Sequence, residues 1–293
     1  SIDENEVATL KLVMSEIFGE ENFRNTFTIR RYDKNLNRQF IEQGLSTFNT
    51  GFEYVLCYSK SPDFTFNPVY KASSETRQNF GYWKGFWNDA DRPTMRYQLL
   101  GYKPETGQWK WKQETGIAAA KNYEEYQKSF ADKMTLEEYW ESTGKKLQFI
   151  RRNPNGKGMN KGVEHWIPPT SGILRNTNWT DIFASKSEPE TQGYFDYPKN
   201  IDLIKEFIRL GEGSESDIIL DFFAGSGSTA HATLAYNQEQ GKNHKFLCVQ
   251  YAEKLAETSE AFEAGLRTIA DITRLRLKAV VANKKTKAAG DLY

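Results

Sequence analysis

Apolar positions in the first twenty residues recur with helical spacing, so that Val7, Leu10, Met14 and Ile17 share one face. Asp3, with Glu6 three residues on, is placed to cap that helix, and Gly19 to end it. The period then shortens. TFTIRRY (26–32) reads as a strand, and FEYVLCYSK (52–60) alternates well enough for a strand of a half-buried sheet. From Pro62 to Asn160 the pattern turns irregular, with helices expected only around 118–130 and 136–142. After Ile167-Pro168-Pro169 it becomes regular again. KNIDLIKEFIRLG puts Ile201, Ile204 and Ile208 on one helical face, and Pro198 is positioned to start it. Then come an apolar, buried strand DIILDFF (217–223), a helix TAHATLAYNQEQ (229–240), a strand KFLCVQY (245–251) and a helix that includes Leu266–Val280. Strand, helix and strand within about 35 residues predict a βαβ crossover in a parallel, doubly wound sheet.

Composition changes this picture in one place. Lys+Arg and Asp+Glu balance at 39 each, but residues 24–166 hold 23 basic against 16 acidic, leaving 16 against 23 for the two ends. That basic middle is also crowded with aromatics, as in YWKGFW, GQWKWK and EEYW. It is either an electrostatic footprint for nucleic acid or a set of ordinary solvated faces. At 293 residues the chain is long enough for one large or two ordinary domains. Cys57 and Cys248 sit inside strand-like runs and read as buried, reduced thiols, which suits the cytoplasm. Three scattered histidines argue against a zinc site. No apolar run of about 18 residues suggests a membrane span. A first residue other than Met suggests a fragment or a processed product.

The chemistry concentrates in DFFAGSGSTA, 221–230. Gly225 and Gly227 let the backbone turn sharply and approach a ligand closely. The helix that follows aims its unpaired N–H groups and positive dipole end at the same spot. No lysine follows the glycines as in a nucleotide-triphosphate loop, so two ligand classes remain, a dinucleotide and S-adenosylmethionine. A dinucleotide site wants a third glycine, where Ala230 is the nearest approach, and an acid ending the next strand, where Gln250 stands with Glu253 beyond it. Asp221 at the strand tip suits a methyl donor, whose charged amino-acid end an acid there holds.

DFFAGSGSTA resembles the S-adenosylmethionine motif of amino-methylating DNA methyltransferases, and FDYPKNIDLIKEFI resembles that family's second cofactor element. Their order matches the permuted β class. SIDENEVATLKLVMSEIFGEENF, FEYVLCYSK and GVEHWIPPTSGILRNTNWTDIF are similar, more narrowly, to modification (Mod) subunits of Type III restriction-modification systems. The resemblance implies an α/β fold: part of a Rossmann-like methyltransferase sheet, with an inserted mixed α+β target-recognition domain. Residues 1–23 would belong to the catalytic core, 24–166 to target recognition and 167–293 to the cofactor-binding half. Asp221, Phe222, Ala224, Gly225, Gly227, Ser228 and Thr229 would line S-adenosylmethionine. Phe195, Pro198 and Lys199 would close over its methionine part, and Gln250 and Glu253 would lie near the ribose and adenine. Double-stranded DNA, a homodimer and a nuclease/helicase restriction subunit are the implied partners, and adenine N6 the implied target.

For DNA, the resemblance makes Arg30, Arg31, Lys34, Arg38, Arg96, Arg151, Arg152, Lys157 and Lys161 candidates to grip phosphates or read guanine edges. Trp83, Trp87, Trp109, Trp111 and Trp140 would either stack on bases or fill a core. The family's catalytic Asp/Asn-Pro-Pro-Tyr/Phe does not occur in the 293 residues; Asn67-Pro68-Val69-Tyr70 is the nearest string. By the family's order the motif is expected upstream of Ser1, so the chain is expected to be a truncated portion that does not methylate DNA by itself. Two rivals stay open: a nicotinamide-dependent oxidoreductase using the same turn, and a DNA-binding specificity module without catalysis.

Overall fold

Asp3 accepts the amide of Asn5 at 3.1 Å, and helix α1 (Glu4–Phe18) runs from that cap until Gly19, at φ +89°, ends it. Val7, Leu10 and Met14 are half-buried, but Ile17, expected on the same face, is 66% exposed. Strand β1 (Phe23–Arg30) follows and pairs antiparallel with β2 (Phe52–Tyr58), Thr26 opposite Leu56 and Thr28 opposite Tyr54. The computed structural model describes residues 2–31, 44 and 48–290, the last seven as backbone alone. Lys34 and Arg38 lie outside the described residues.

The chain separates into two units, Tyr70–Ile173 and the remainder, Ser1–Val69 with Leu174–Tyr293. The middle unit opens on β3 (Tyr70–Ala72) and a short helix α2 (Glu75–Asn79). Strands β4 (Tyr82–Gly85), β5 (Trp87–Asn88) and β6 (Gln108–Trp109) lead to helices α3 (Gln113–Ser129) and α4 (Leu136–Ser142). Strands β7 (Ile150–Arg152) and β8 (Val163–Ile167) complete an antiparallel sheet in the order β4-β8-β7, and β9 (Gly172–Leu174) lies at the boundary. A reciprocal box starts α4: Thr135 accepts the amide of Glu138, whose carboxylate accepts the amide of Thr135. Aromatics fill this unit. Phe86, Tyr97, Trp109 and Ile150 form one cluster; Tyr126, Tyr139, Phe149 and Trp166 form another.

In the returning segment, β10 (Asn178–Phe183) joins β1 in parallel on the edge away from β2. Trp179 stacks on Phe207 at 4.6 Å and meets Phe27 edge-on, which gathers Ile29, Leu203 and Leu210 into a core. For that reason β1 and β2 belong with the returning segment, whereas the sequence had grouped residues 24–69 with the basic middle. Helix α5 (Ile201–Gly211) is capped by Asn200, which accepts the amide of Asp202; Pro198 lies two residues ahead of the cap instead of starting the helix.

Strand β11 (Ile218–Asp221), helix α6 (Ser228–Gln240) and strand β12 (Lys245–Cys248) form the crossover, the strands parallel with Leu220 opposite Leu247. A short helix α7 (Glu260–Glu263) and the long α8 (Ile269–Gly290) follow. Among the described residues this sheet has two strands, fewer than a doubly wound sheet. Nor is β11 buried on both faces. Ile218, Leu220, Leu247 and Val249 are each at least half exposed, because strand alternation turns only their neighbours toward the packed side.

Candidate functional site

At the tip of β11 the chain turns through Phe222–Gly227 into α6. Gly225 (φ +51°) and Gly227 (φ +80°) hold left-handed backbone, and a Cβ on Gly227 would come within 3.0 Å of Thr273 Cγ2. The turn ties itself down from within. Gly227 N–H donates to Ala224 O at 2.7 Å, Ala224 N–H to Val249 O at 3.1 Å, and Gly225 N–H to Gln250 Oε1 at 2.6 Å. Asp221 accepts on both oxygens, from the Phe223 amide at 3.0 Å and from Thr229 Oγ1 at 2.6 Å. No side chain caps α6. Among the described residues the amides of Ser226, Ser228 and Thr229 have no acceptor, so three donors at a positive helix end are unpartnered.

The side chains of the turn divide into two sets. Ser226 and Ser228 are buried and bonded inward to Arg276 of α8, with Ala224 buried beside them. Phe222, Phe223 and Tyr251 are exposed, at 62%, 83% and 84%. Phe195 is half-buried, and its ring comes within 3.4 Å of where a Cβ on Gly225 would sit. Of the other residues expected to close the site, Pro198 is buried and accepts the Lys186 amide, while Lys199 Nζ is committed to Glu53 at 2.6 Å. Glu253 is exposed, and its carbonyl accepts the Ile269 amide. The structure thus brings Asp221, Ala224, Gly225, Gly227, Ser228, Thr229, Gln250 and Phe195 together around one turn. Burial first, then the Asp221 carboxylate, pushes the Cys248 thiol pKa up.

The basic residues separate in a similar way. Arg30 lies over the Phe183 ring at 5.0 Å, and Arg31 Nε is 3.9 Å from Glu53, both within the unit that holds the glycine turn. In the middle unit Arg96 donates to Gly107 O and pairs with Asp91; Arg151 pairs with Glu164 at 3.0 Å and lies over Trp83; Arg152 donates to Leu100 O at 2.9 Å. Arg151 and Arg152 also line an open cleft of about 430 Å³ beside Tyr123 and Glu124. Lys157 and Lys161 stand exposed in the loop joining β7 to β8. Trp109 is fully buried, and Trp83, Trp87, Trp111 and Trp140 pack against the two clusters. No group of three metal-ligating side chains, and no helix long and apolar enough to cross a membrane, occurs among the described residues.

A family model described as DNA methylase matches residues 1–261, which include the glycine turn and both crossover strands. The chain belongs to the DNA methylase family. It is similar to the Type II methyltransferase M.KpnI of Klebsiella pneumoniae, 29% identical over 97% of this chain and 69% of that protein. It is also similar to the Type III restriction-modification enzyme StyLTI Mod subunit of Salmonella typhimurium, 30% identical over 96% of this chain but 41% of that subunit. The EcoP15I Mod subunit of Escherichia coli matches 41% of the chain at 33% identity, over 17% of its own length. The likeness read from the motifs therefore stands at the level of the family.

Two participants in this turn lie outside the motif, Thr273 and Arg276, and Ser226, inside it, is not among the residues expected to line the cofactor. Thr273 Oγ1 donates to Gly225 O at 2.6 Å, and the Arg276 guanidinium lies fully buried beneath the turn. The pattern TRLRLK shows two arginines on a helix and nothing to mark one as internal.

Proposed function

We propose that the turn between β11 and α6 binds S-adenosylmethionine, and that the chain serves a site-specific DNA methyltransferase of the modification-subunit kind. The observation that carries this reading is the set of unpartnered amides at Ser226, Ser228 and Thr229, above side chains that face away from them. Unpartnered N–H donors at a helix start suit a carboxylate. Asp221 is adjacent and acidic, and the Phe195 ring lies beside Gly225. These features fit the donor's amino-acid end. The exposed rings of Phe222, Phe223 and Tyr251 offer apolar faces to its adenosine. When bound, the donor supplies an electrophilic methyl on its sulfonium. The chain's own residues bind and orient it, and no Asp/Asn-Pro-Pro-Tyr/Phe string among them is assigned a catalytic role.

On this reading the crossover is part of a Rossmann-like methyltransferase sheet, and the basic, aromatic middle unit contacts double-stranded DNA through Lys157, Lys161 and the Arg151–Arg152 cleft. Adenine N6 as target, a homodimer and a restriction subunit as partner are part of the same proposal, the last supported by similarity to Mod subunits of Type III restriction-modification enzymes.

Calorimetric titration tests the core of the proposal. S-adenosylmethionine and its demethylated product are expected to bind and NADH is not; NADH binding alone would return the turn to the dinucleotide class. Methyl transfer by the whole enzyme, followed by nucleoside analysis of the DNA, is expected to yield N6-methyladenine. N4-methylcytosine would replace the target assignment and leave the donor site intact.

A further inference from the structure

Helix α8 presents two side chains, one turn apart, to the underside of the glycine turn. Thr273 holds the carbonyl of Gly225, and Arg276 holds the next stretch. Arg276 is 0% exposed. One of its terminal nitrogens donates to Ser226 Oγ at 3.0 Å and to Ser228 Oγ at 2.9 Å, and its Nε donates to His231 Nδ1 at 3.2 Å. Its other terminal nitrogen is buried without a hydrogen-bond partner among the described residues. Burial lowers the Arg276 pKa while the carboxylates of Glu188 and Glu190 oppose that shift, and a guanidinium stays charged under either influence. Burial and the nearby Arg276 charge lower the His231 pKa, which leaves its imidazole neutral and Nδ1 free to accept.

The Glu188 and Glu190 carboxylates offset part of the cost of burying this cation, yet its one bonded terminal nitrogen is committed to two neutral hydroxyls, which fixes them in place. Serines beside a helix start ordinarily turn outward and accept the amides two or three residues on. Ser226 is placed to do this to Ser228 and Thr229, which would close the very donors that are unpartnered. Arg276 prevents it by holding both hydroxyls as acceptors on the inner side.

We propose that Arg276 is a positioning residue of the methyl-donor site: it sequesters the Ser226 and Ser228 hydroxyls so that the turn's amides remain available to the donor's carboxylate. The inference rests on the turn being that site, and its test separates the two ideas. The chain is titrated with S-adenosylmethionine and with methylthioadenosine, which has the nucleoside but lacks the amino-acid tail. Arg276→Gln is expected to weaken S-adenosylmethionine at least tenfold while changing methylthioadenosine less than twofold. Adding Ser226→Ala and Ser228→Ala to that variant is expected to restore a substantial part of the loss, because no hydroxyl remains to compete for the amides. Should Arg276→Gln fail to fold, Arg276→Lys takes its place, with a three- to tenfold loss confined to S-adenosylmethionine. Equal losses for both ligands, no loss for either, or no rescue overturn the positioning role while the donor site stands. A wild-type chain that binds neither ligand overturns the donor site and this inference with it.

Discussion

The glycine turn and the middle unit use polar groups in opposite ways. In the middle unit cations serve the fold: Arg96 holds Gly107 and Asp91, Arg151 is held between Glu164 and Trp83, and Arg152 caps Leu100. Aromatic side chains supply the volume, and these three arginines find a carbonyl, a carboxylate or a ring face close at hand. From Ala224 to Ser228 the side chains are small, and polar contacts hold the inside while the Ser226, Ser228 and Thr229 amides stay unpartnered among the described residues. Charge-rich sequence therefore marks the fold in one unit, while the proposed donor-binding turn of the other centres on alanine, glycine and serine beside exposed aromatic rings.

The strongest way to break this comparison is to remove the centre of the aromatic core. Trp109 is fully buried, packs on Phe86 and Tyr102, and donates its indole N–H to Tyr97 O. Trp109→Ala is expected to lower stability by about 3–5 kcal/mol in denaturant unfolding, yet to leave S-adenosylmethionine affinity unchanged where the chain remains folded. Loss of binding in step with stability would mean that the two units do not stand on separate cores.

A smaller effect is expected from Gly227→Ala, which adds a methyl 3.0 Å from Thr273 Cγ2 at φ +80°. Left-handed strain of about 1–2 kcal/mol falls directly on the ligand face. Donor affinity should drop roughly tenfold, by calorimetry, with a modest fall in melting temperature.

pH sharpens the comparison further. Burial, then the Lys110 and Lys84 charges, lower the His165 pKa to about 4. The unfolded chain thus takes up a proton near the ordinary histidine value, before the folded one does, so this contribution is complete above about pH 6.5. It is lost as pH falls from there toward 4. His165→Phe should flatten that part of the pH–stability curve relative to wild type; parallel curves would mean His165 does not titrate in this way.

The smallest change in stability is expected for Lys157→Ala with Lys161→Ala, within about 0.5 kcal/mol. The DNA affinity should nevertheless become less salt-dependent, by a slope of roughly 0.9 for each phosphate contact removed. Arg151→Ala should do the reverse, costing stability first. An unaltered salt slope in the lysine variant would move the DNA contact elsewhere.

Much of the local structure was legible in the residues. Caps and breakers such as Asp3, Gly19 and Gly227 act within a few positions, and β1, β2, α1, α4 and α6 lie close to where periodicity puts them. Less was legible about which side of each element is covered. Ile17, Ile218 and Leu220 fit apolar faces and are exposed; Arg276 reads as a surface cation on a helix and is internal.

Taken alone, the sequence determined the turn, because φ > 0 and close backbone approach depend on glycine at two positions, and it determined the family through the order of short motifs. Only the tertiary structure decided what surrounds that turn. Thr273, Arg276 and Phe195 reach it from chain positions about 30 to 50 residues away, and contacts over such separations depend on packing, which spacing along the chain does not encode.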